Sequence, residues 1–186
     1  MRNQLWAVIL LVLLLVSPFF AGCARGQPVT LNPIEPSASQ TGEQPAVGTG
    51  PQKGLLAPDF TGTGMQGERI SLSDLLGGKV LINFWAIWCG PCIGEIPELN
   101  AFYSSNQNRV TVFSVEVDGV RNEVEAFLQE TPLSYPVILD GEKGSPISDL
   151  YQINSIPCTF LIDEQGLIVE RIIGSTTKSK LEALLK

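Results

Sequence analysis

The segment Trp88-Cys89-Gly90-Pro91-Cys92 constrains this chain more than any other. Two thiols three positions apart can close a small disulfide on the first turn of a helix. So short a ring removes little loop entropy from the unfolded chain and is a weak staple. What the spacing provides is a fast second attack within one molecule: one thiolate opens a target disulfide, and its neighbour resolves the mixed disulfide. The flanks agree with that use. Residues 79–85 (KVLINFW) read as a buried strand, and residues 93–107 as a helix with apolar positions at Ile96, Leu99, Phe102 and Tyr103. The pair therefore falls at a strand-to-helix turn. Cys89, the first thiol, lies at the helix N-terminus, where free N–H groups and the helix dipole favour a thiolate, so it is the attacking residue. Cys92, one turn in, is the less exposed, resolving thiol. Gly90 and Pro91 form the loop between them, and Pro in the first turn forfeits no helical hydrogen bond. Pro97, further along, should kink the helix.

The rest of the inventory removes competing chemistries. The chain has no histidine, which excludes a Ser/His or Cys/His nucleophile pair and any His-containing metal site. Proton handling must fall to carboxylates. There are four cysteines, too few for the disulfide framework of an exported scaffold. Half of a zinc site is the alternative for Cys89 and Cys92, but it needs two more soft ligands and only Cys158 remains, so no metal and no cofactor are expected. With 12 basic against 19 acidic residues the net charge is −7, which argues against nucleic acid and against electrostatic adhesion to anionic lipid.

Residues 1–22 are an export segment. Arg2 precedes an apolar run from Leu5 to Val16, and Ala21-Gly22-Cys23 closes it with small residues. The run is short for a bilayer span, which takes about 20 apolar residues. The ending resembles a bacterial lipobox, apart from Phe20 where an aliphatic residue is usual. That resemblance implies lipidation of Cys23. An uncleaved membrane anchor and simple secretion remain the other two readings. Residues 23–54 are rich in Pro, Gly, Ser, Thr and Gln, and read as a disordered tether with a reach of about 30 Å.

The folded domain is expected over residues 55–186. Gly62-Thr63-Gly64 and Gln66-Gly67 read as turns, with a short strand at 68–71 between them. Ser71 to Asp74 can cap a brief helix. Residues 109–117 alternate as a buried strand, 122–130 form a helix, 135–139 are extended and 148–151 make a helical turn. Residues 158–163 and 167–173 are two strands joined by a hairpin at Glu164-Gln165-Gly166, and 177–186 form the closing helix. This order predicts an α/β fold, with a central mixed sheet and helices on both faces.

At this point a family is recognisable. The domain resembles the thioredoxin fold, and within it the membrane-tethered ResA/TlpA-like thiol-disulfide oxidoreductases, a branch related to the AhpC/TSA redoxins. Four features carry the resemblance: Ala57-Pro58-Asp59-Phe60 at the domain start, Asn83-Phe84-Trp85-Ala86 leading into the Cys-x-x-Cys, Pro97 five residues after Cys92, and Ile156-Pro157 opening the strand from Cys158. The segment between Val117 and Cys158 resembles the inserted strand and helix of that subgroup.

The resemblance implies roles for particular residues. Pro157 takes the place of the cis-proline that faces the disulfide, so that Ile156 offers its backbone to an extended substrate chain. Glu95 takes the place of a glutamate that assists proton transfer at the resolving thiol. Thioredoxins carry a buried Asp where this chain has Asn83, which leaves Glu95 as the candidate acid. Trp88 is read as part of a docking surface. Trp85, Phe60, Phe84, Phe102, Phe113 and Phe160 are read as core. Cys158 departs from the family, which usually has Thr there; it is either a buried core thiol or a third redox thiol near the pair. The implied activity is reduction of disulfides in exported proteins on the outer face of the cell membrane, with apocytochrome c as substrate and a membrane electron donor of the thiol-reductase type. The protein is expected to be a monomer. Two competitors are a peroxiredoxin-type peroxidase, whose start also resembles residues 57–60, and a non-catalytic binding or chaperone module on the same scaffold.

Overall fold

The computed structural model describes residues 47–186. The export segment, Cys23 and the tether up to residue 46 lie outside the described residues. Among the described residues, no helix is long and apolar enough to cross a membrane.

The sheet is built outward from β3 (Lys79–Trp85), whose residues from Val80 onward are all buried. Such a strand must be covered on both faces and flanked on both edges. β4 (Val110–Glu116) pairs with it in parallel and β6 (Cys158–Ile162) antiparallel. β5 (Val137–Leu139) adds in parallel outside β4, and β7 (Ile168–Ile173) antiparallel outside β6, giving the order β5-β4-β3-β6-β7. Asp163 tightens the β6–β7 hairpin by accepting the N–H groups of Gln165 and Leu167, with Gly166 at φ 87°.

Alternation along β3 divides the core. Val80, Ile82 and Phe84 face a cluster with Phe113, Val115, Tyr151 and Phe160, closed by Phe60, Leu72 of α1 (Leu72–Leu75) and Ile147 of α4 (Pro146–Leu150). Leu81 faces the other way, toward Leu99 and Phe102 of α2 (Gly90–Asn106) and Leu181 of α5 (Lys178–Leu184). α3 (Arg121–Glu130) contributes Phe127, packed at a tilt against Trp85 with ring centroids 5.5 Å apart. Helices thus cover both faces, as expected, and each large side chain removed from water contributes about 1.5–3 kcal/mol. α2 starts three residues earlier than its periodicity suggests and runs through Pro97 without ending.

Three local differences have physical reasons. Gly62, read as a turn, lies inside β1 (Thr61–Thr63), which pairs with β2 (Arg69–Ser71). The glycine serves space there, because a Cβ would lie 2.6 Å from Ile138 Cγ2. Ser71 holds the N-cap position of α1 but donates its hydroxyl to Phe60 O; Asp59 Oδ1 caps instead, accepting Ser73 N–H at 2.9 Å. Finally, residues 47–54, read as tether, are folded. Gly50 N–H donates to Leu56 O, Gly54 N–H to Ile168 O, and Ile168 N–H to Leu55 O. Backbone pairing with the edge strand β7 holds this strap despite its Gly-rich composition.

Candidate active site

The strand-to-helix turn after β3 delivers the two thiols as anticipated. Cys89 and Cys92 are joined, with the sulfurs 2.03 Å apart. Cys89 is the N-cap residue of α2, and its Sγ accepts the N–H of Cys92 at 3.3 Å. A free N–H of the first turn thus points at the Cys89 sulfur, where it favours a thiolate once the bond is opened. Cys92 is the deeper of the two, 1% exposed against 5% for Cys89.

Pro157 follows a cis peptide bond from Ile156. The Ile156 side chain packs against the same cluster as Cys89 and Cys92. Among the described residues, its backbone N–H and C=O make no hydrogen bond with the rest of the backbone. Pro157 C=O is taken by Gly174 N–H. Trp88, 65% exposed, stands beside the pair with its indole N–H donated to the Asp118 carboxylate at 3.0 Å. A groove of about 530 Å³ runs from Trp88 and Asp118 past Ser145 and Asp149 to Ile156. Ile173, at the end of β7 and paired with Cys158, is a large apolar side chain left 66% exposed near Pro157. Its place in an edge strand reads as ordinary core pattern, so nothing local in the sequence singles it out.

Beneath the disulfide lies a polar cluster. Glu95 is one helical turn beyond Cys92 on the same buried face of α2, and only 3% exposed. Its Oε1 accepts Asn83 Nδ2–H at 2.9 Å and its Oε2 accepts Thr176 N–H at 2.9 Å. Asn83 also donates to Thr159 Oγ1 at 3.1 Å. Burial holds the Glu95 pKa above the ordinary carboxylate value, although the bonds from Thr176 and Asn83 pull it back. A carboxylate so placed, with its pKa raised by burial, is better matched to exchange a proton with a neighbouring thiol than a solvated one. Thr176 is a contact that no spacing rule could have found, because it acts through its backbone.

Cys158 does not join this site. It lies in the cluster of Phe84, Tyr151 and Phe160 on the face of the sheet away from α2, whereas its neighbour Thr159 points toward Asn83. Burial raises its thiol pKa, partly offset by Arg171. Of the two readings of this thiol, the structure carries the buried core residue. Trp85 and the five phenylalanines read as core are likewise buried.

Comparison with known proteins decides the family. The model of the AhpC/TSA family matches residues 54–171. The thiol-disulfide oxidoreductase ResA of Bacillus anthracis is 39% identical over 136 residues, covering 73% of this chain and 78% of the relative. The chain belongs to the AhpC/TSA family, among its thiol-disulfide oxidoreductases. Solved structures agree on the oxidoreductase's fold. StoA from Bacillus subtilis superposes with a TM-score of 0.62 at 29% identity, covering 69% of this chain and 97% of that one. The exposed lipoprotein thioredoxin of Streptococcus pneumoniae strain TIGR4 gives 0.61 at 25% identity, covering 68% and 98%. The oxidoreductase is thus a thioredoxin-fold enzyme in which Cys89 and Cys92 of the Cys-x-x-Cys motif are joined as a disulfide.

Proposed function

We infer that this enzyme reduces disulfides of exported proteins on the outer face of the membrane. The observation that carries the reading is the buried Glu95 carboxylate one turn beyond the resolving thiol. A reductant must deprotonate Cys92 while it is buried under a mixed disulfide, and Glu95 is the acid within reach of that face. The exchange then runs in two steps. Cys89 thiolate attacks one sulfur of the substrate disulfide, and the other leaves as a thiolate. Cys92 passes its proton to Glu95 and attacks Cys89 Sγ, which releases the second substrate sulfur and leaves the Cys89–Cys92 disulfide. Two electrons pass to the substrate, and a membrane thiol reductase returns them to the pair.

Substrate binding falls to Trp88, to the exposed Ile173 and to the backbone of Ile156 before Pro157. Its unpaired N–H and C=O suit strand-like pairing with an extended segment around a disulfide. Apocytochrome c is the substrate class suggested by likeness to ResA/TlpA-type enzymes. The export segment 1–22, lipid on Cys23 and the tether that follows would hold the monomeric domain at the membrane; likeness to an exposed lipoprotein thioredoxin supports this.

The reduction potential of the Cys89–Cys92 couple tests the direction. A value near or below about −270 mV is expected for a reductant, and one near about −120 mV would make the enzyme an oxidant.

A further inference from the structure

A second buried carboxylate, unused by the exchange steps, lies beside the redox loop. Glu116 ends β4 and is fully buried. Its Oε1 accepts Ile87 N–H at 3.3 Å, and its Oε2 accepts Gly119 N–H in a very close contact. The nearby charge that bears on it is another carboxylate, Asp118, so it has no ion-pair compensation from that side. Removing a carboxylate from water without a cation is expensive, and an apolar side chain would fill this strand position at less cost. Packing alone therefore does not account for Glu116.

Its two bonds do. Ile87 precedes Trp88 and Cys89, and Gly119 follows Asp118. One side chain thus ties the loop that carries the attacking thiol to the loop that leaves β4. Across the same junction Trp88 donates to Asp118. Trp88, Val117 and Asp118 together form one side of the groove that leads to Ile156. Gly119 is matched to this arrangement, since a Cβ there would lie 2.6 Å from Glu116 Oε2 and 2.7 Å from Val124 Cγ2.

We propose that Glu116 is a positioning residue for substrate recognition: its carboxylate clasps Ile87 and Gly119, fixes Trp88 against Asp118, and so sets the width of the groove that receives the chain flanking a substrate disulfide. The proposal rests on the reading of that groove as the substrate site. It requires an acid, because a carboxylate offers two acceptors. Glutamine offers one and turns its amide N–H toward the other donor.

The test uses the full chain with dithiothreitol as electron donor and two disulfide probes. Insulin must engage the groove, whereas 2,2′-dipyridyl disulfide needs only Cys89 Sγ. Glu116→Gln is expected to raise KM for insulin about tenfold, leaving kcat and the dipyridyl disulfide rate within about twofold. The Trp88 indole N–H resonance should move toward that of a free indole. The Trp85 indole, bonded to Ser114 at 3.1 Å, should stay protected from exchange with solvent and so reports on the fold. If Glu116→Gln loses that protection it has unfolded, and Gly119→Ala, which pushes the clasp open from the other side, decides by the same readings. An unchanged insulin KM and Trp88 resonance in a folded variant would overturn the proposal, as would an equal loss on both probes. A wild-type chain that leaves insulin intact overturns the reductase reading alone, and the clasp then stands or falls on the Trp88 resonance.

Discussion

Asn83 Nδ2 donates to Glu95 Oε1 at 2.9 Å, joining the strand before the redox pair to the helix after it. In the proposed exchange the amide cannot take the proton that Cys92 loses, so Asn83 would orient the acid and leave titration to Glu95. On that mechanism proton handling belongs to α2, whereas thioredoxins place it on β3.

Glu95→Gln should slow the resolving attack of Cys92 by on the order of 10²-fold while the first attack by Cys89 proceeds normally. Stopped-flow kinetics would show a mixed disulfide that accumulates and decays slowly, and the pH dependence of that decay should lose its carboxylate limb. Equal decay in both proteins would reduce Glu95 to a packing residue.

Glu95 and Glu116, both buried, also make stability depend on pH. Burial raises the pKa of Glu95 and of Glu116 above the ordinary 4.5, so the folded state keeps protons that the unfolded chain releases. Their contribution is fully present below about 4.5, falls as pH rises through the raised values, and levels off beyond them. Glu170 has the opposite sign. Lys53 holds its pKa below 4.5, so the stability it adds is lost only as pH falls beneath that value. Urea midpoints should therefore decline from pH 4.5 toward neutrality, with a shallower decline in Glu95→Gln. A midpoint that climbs over this range would contradict the assignment.

Cys92→Ser should trap substrate on Cys89 as a stable mixed disulfide on a non-reducing gel, and Cys89→Ser should trap none. Turnover of protein disulfides should fall by at least about 10²-fold in either. If Cys92→Ser instead consumes peroxide at the wild-type rate of disulfide reduction, the peroxidase reading gains what the reductase reading loses.

Much of this site is legible in the chain itself, for identifiable reasons. The strand, the turn and the helix around Cys89 and Cys92 are contiguous, so local pattern and chemistry point the same way. Pro157 and Glu95 are visible through likeness to a family. Glu116 is not, because a lone acid after Val115 at a strand end reads as a residue turning to solvent. Its partners are backbone N–H groups of Ile87 and Gly119, which carry no side-chain signature. The same holds for Thr176 on Glu95. Gly62 hides for another reason: a glycine that makes room for Ile138 looks, in sequence, like a glycine that turns the chain.

Cys158→Ala should leave the reduction potential and exchange rates unchanged, because the thiol lies across the sheet from the pair. It removes a small buried group and should cost about 1 kcal/mol, read as a shift in the denaturant midpoint at constant slope. A shift of the potential would return Cys158 to the redox chemistry.

The strap at residues 47–56 has a mechanical consequence. Leu56 bridges Leu167, and Ile168 is paired with Ile162, whereas Pro157 and Cys158 lie at the other end of β6. A pull on the amino-terminal end of the domain is thus taken up as shear across the hydrogen bonds of Gly54 and Leu55 to Ile168. The redox loop follows β3 at the end paired with Cys158, a full strand length from that point of load, so the load does not pass through it.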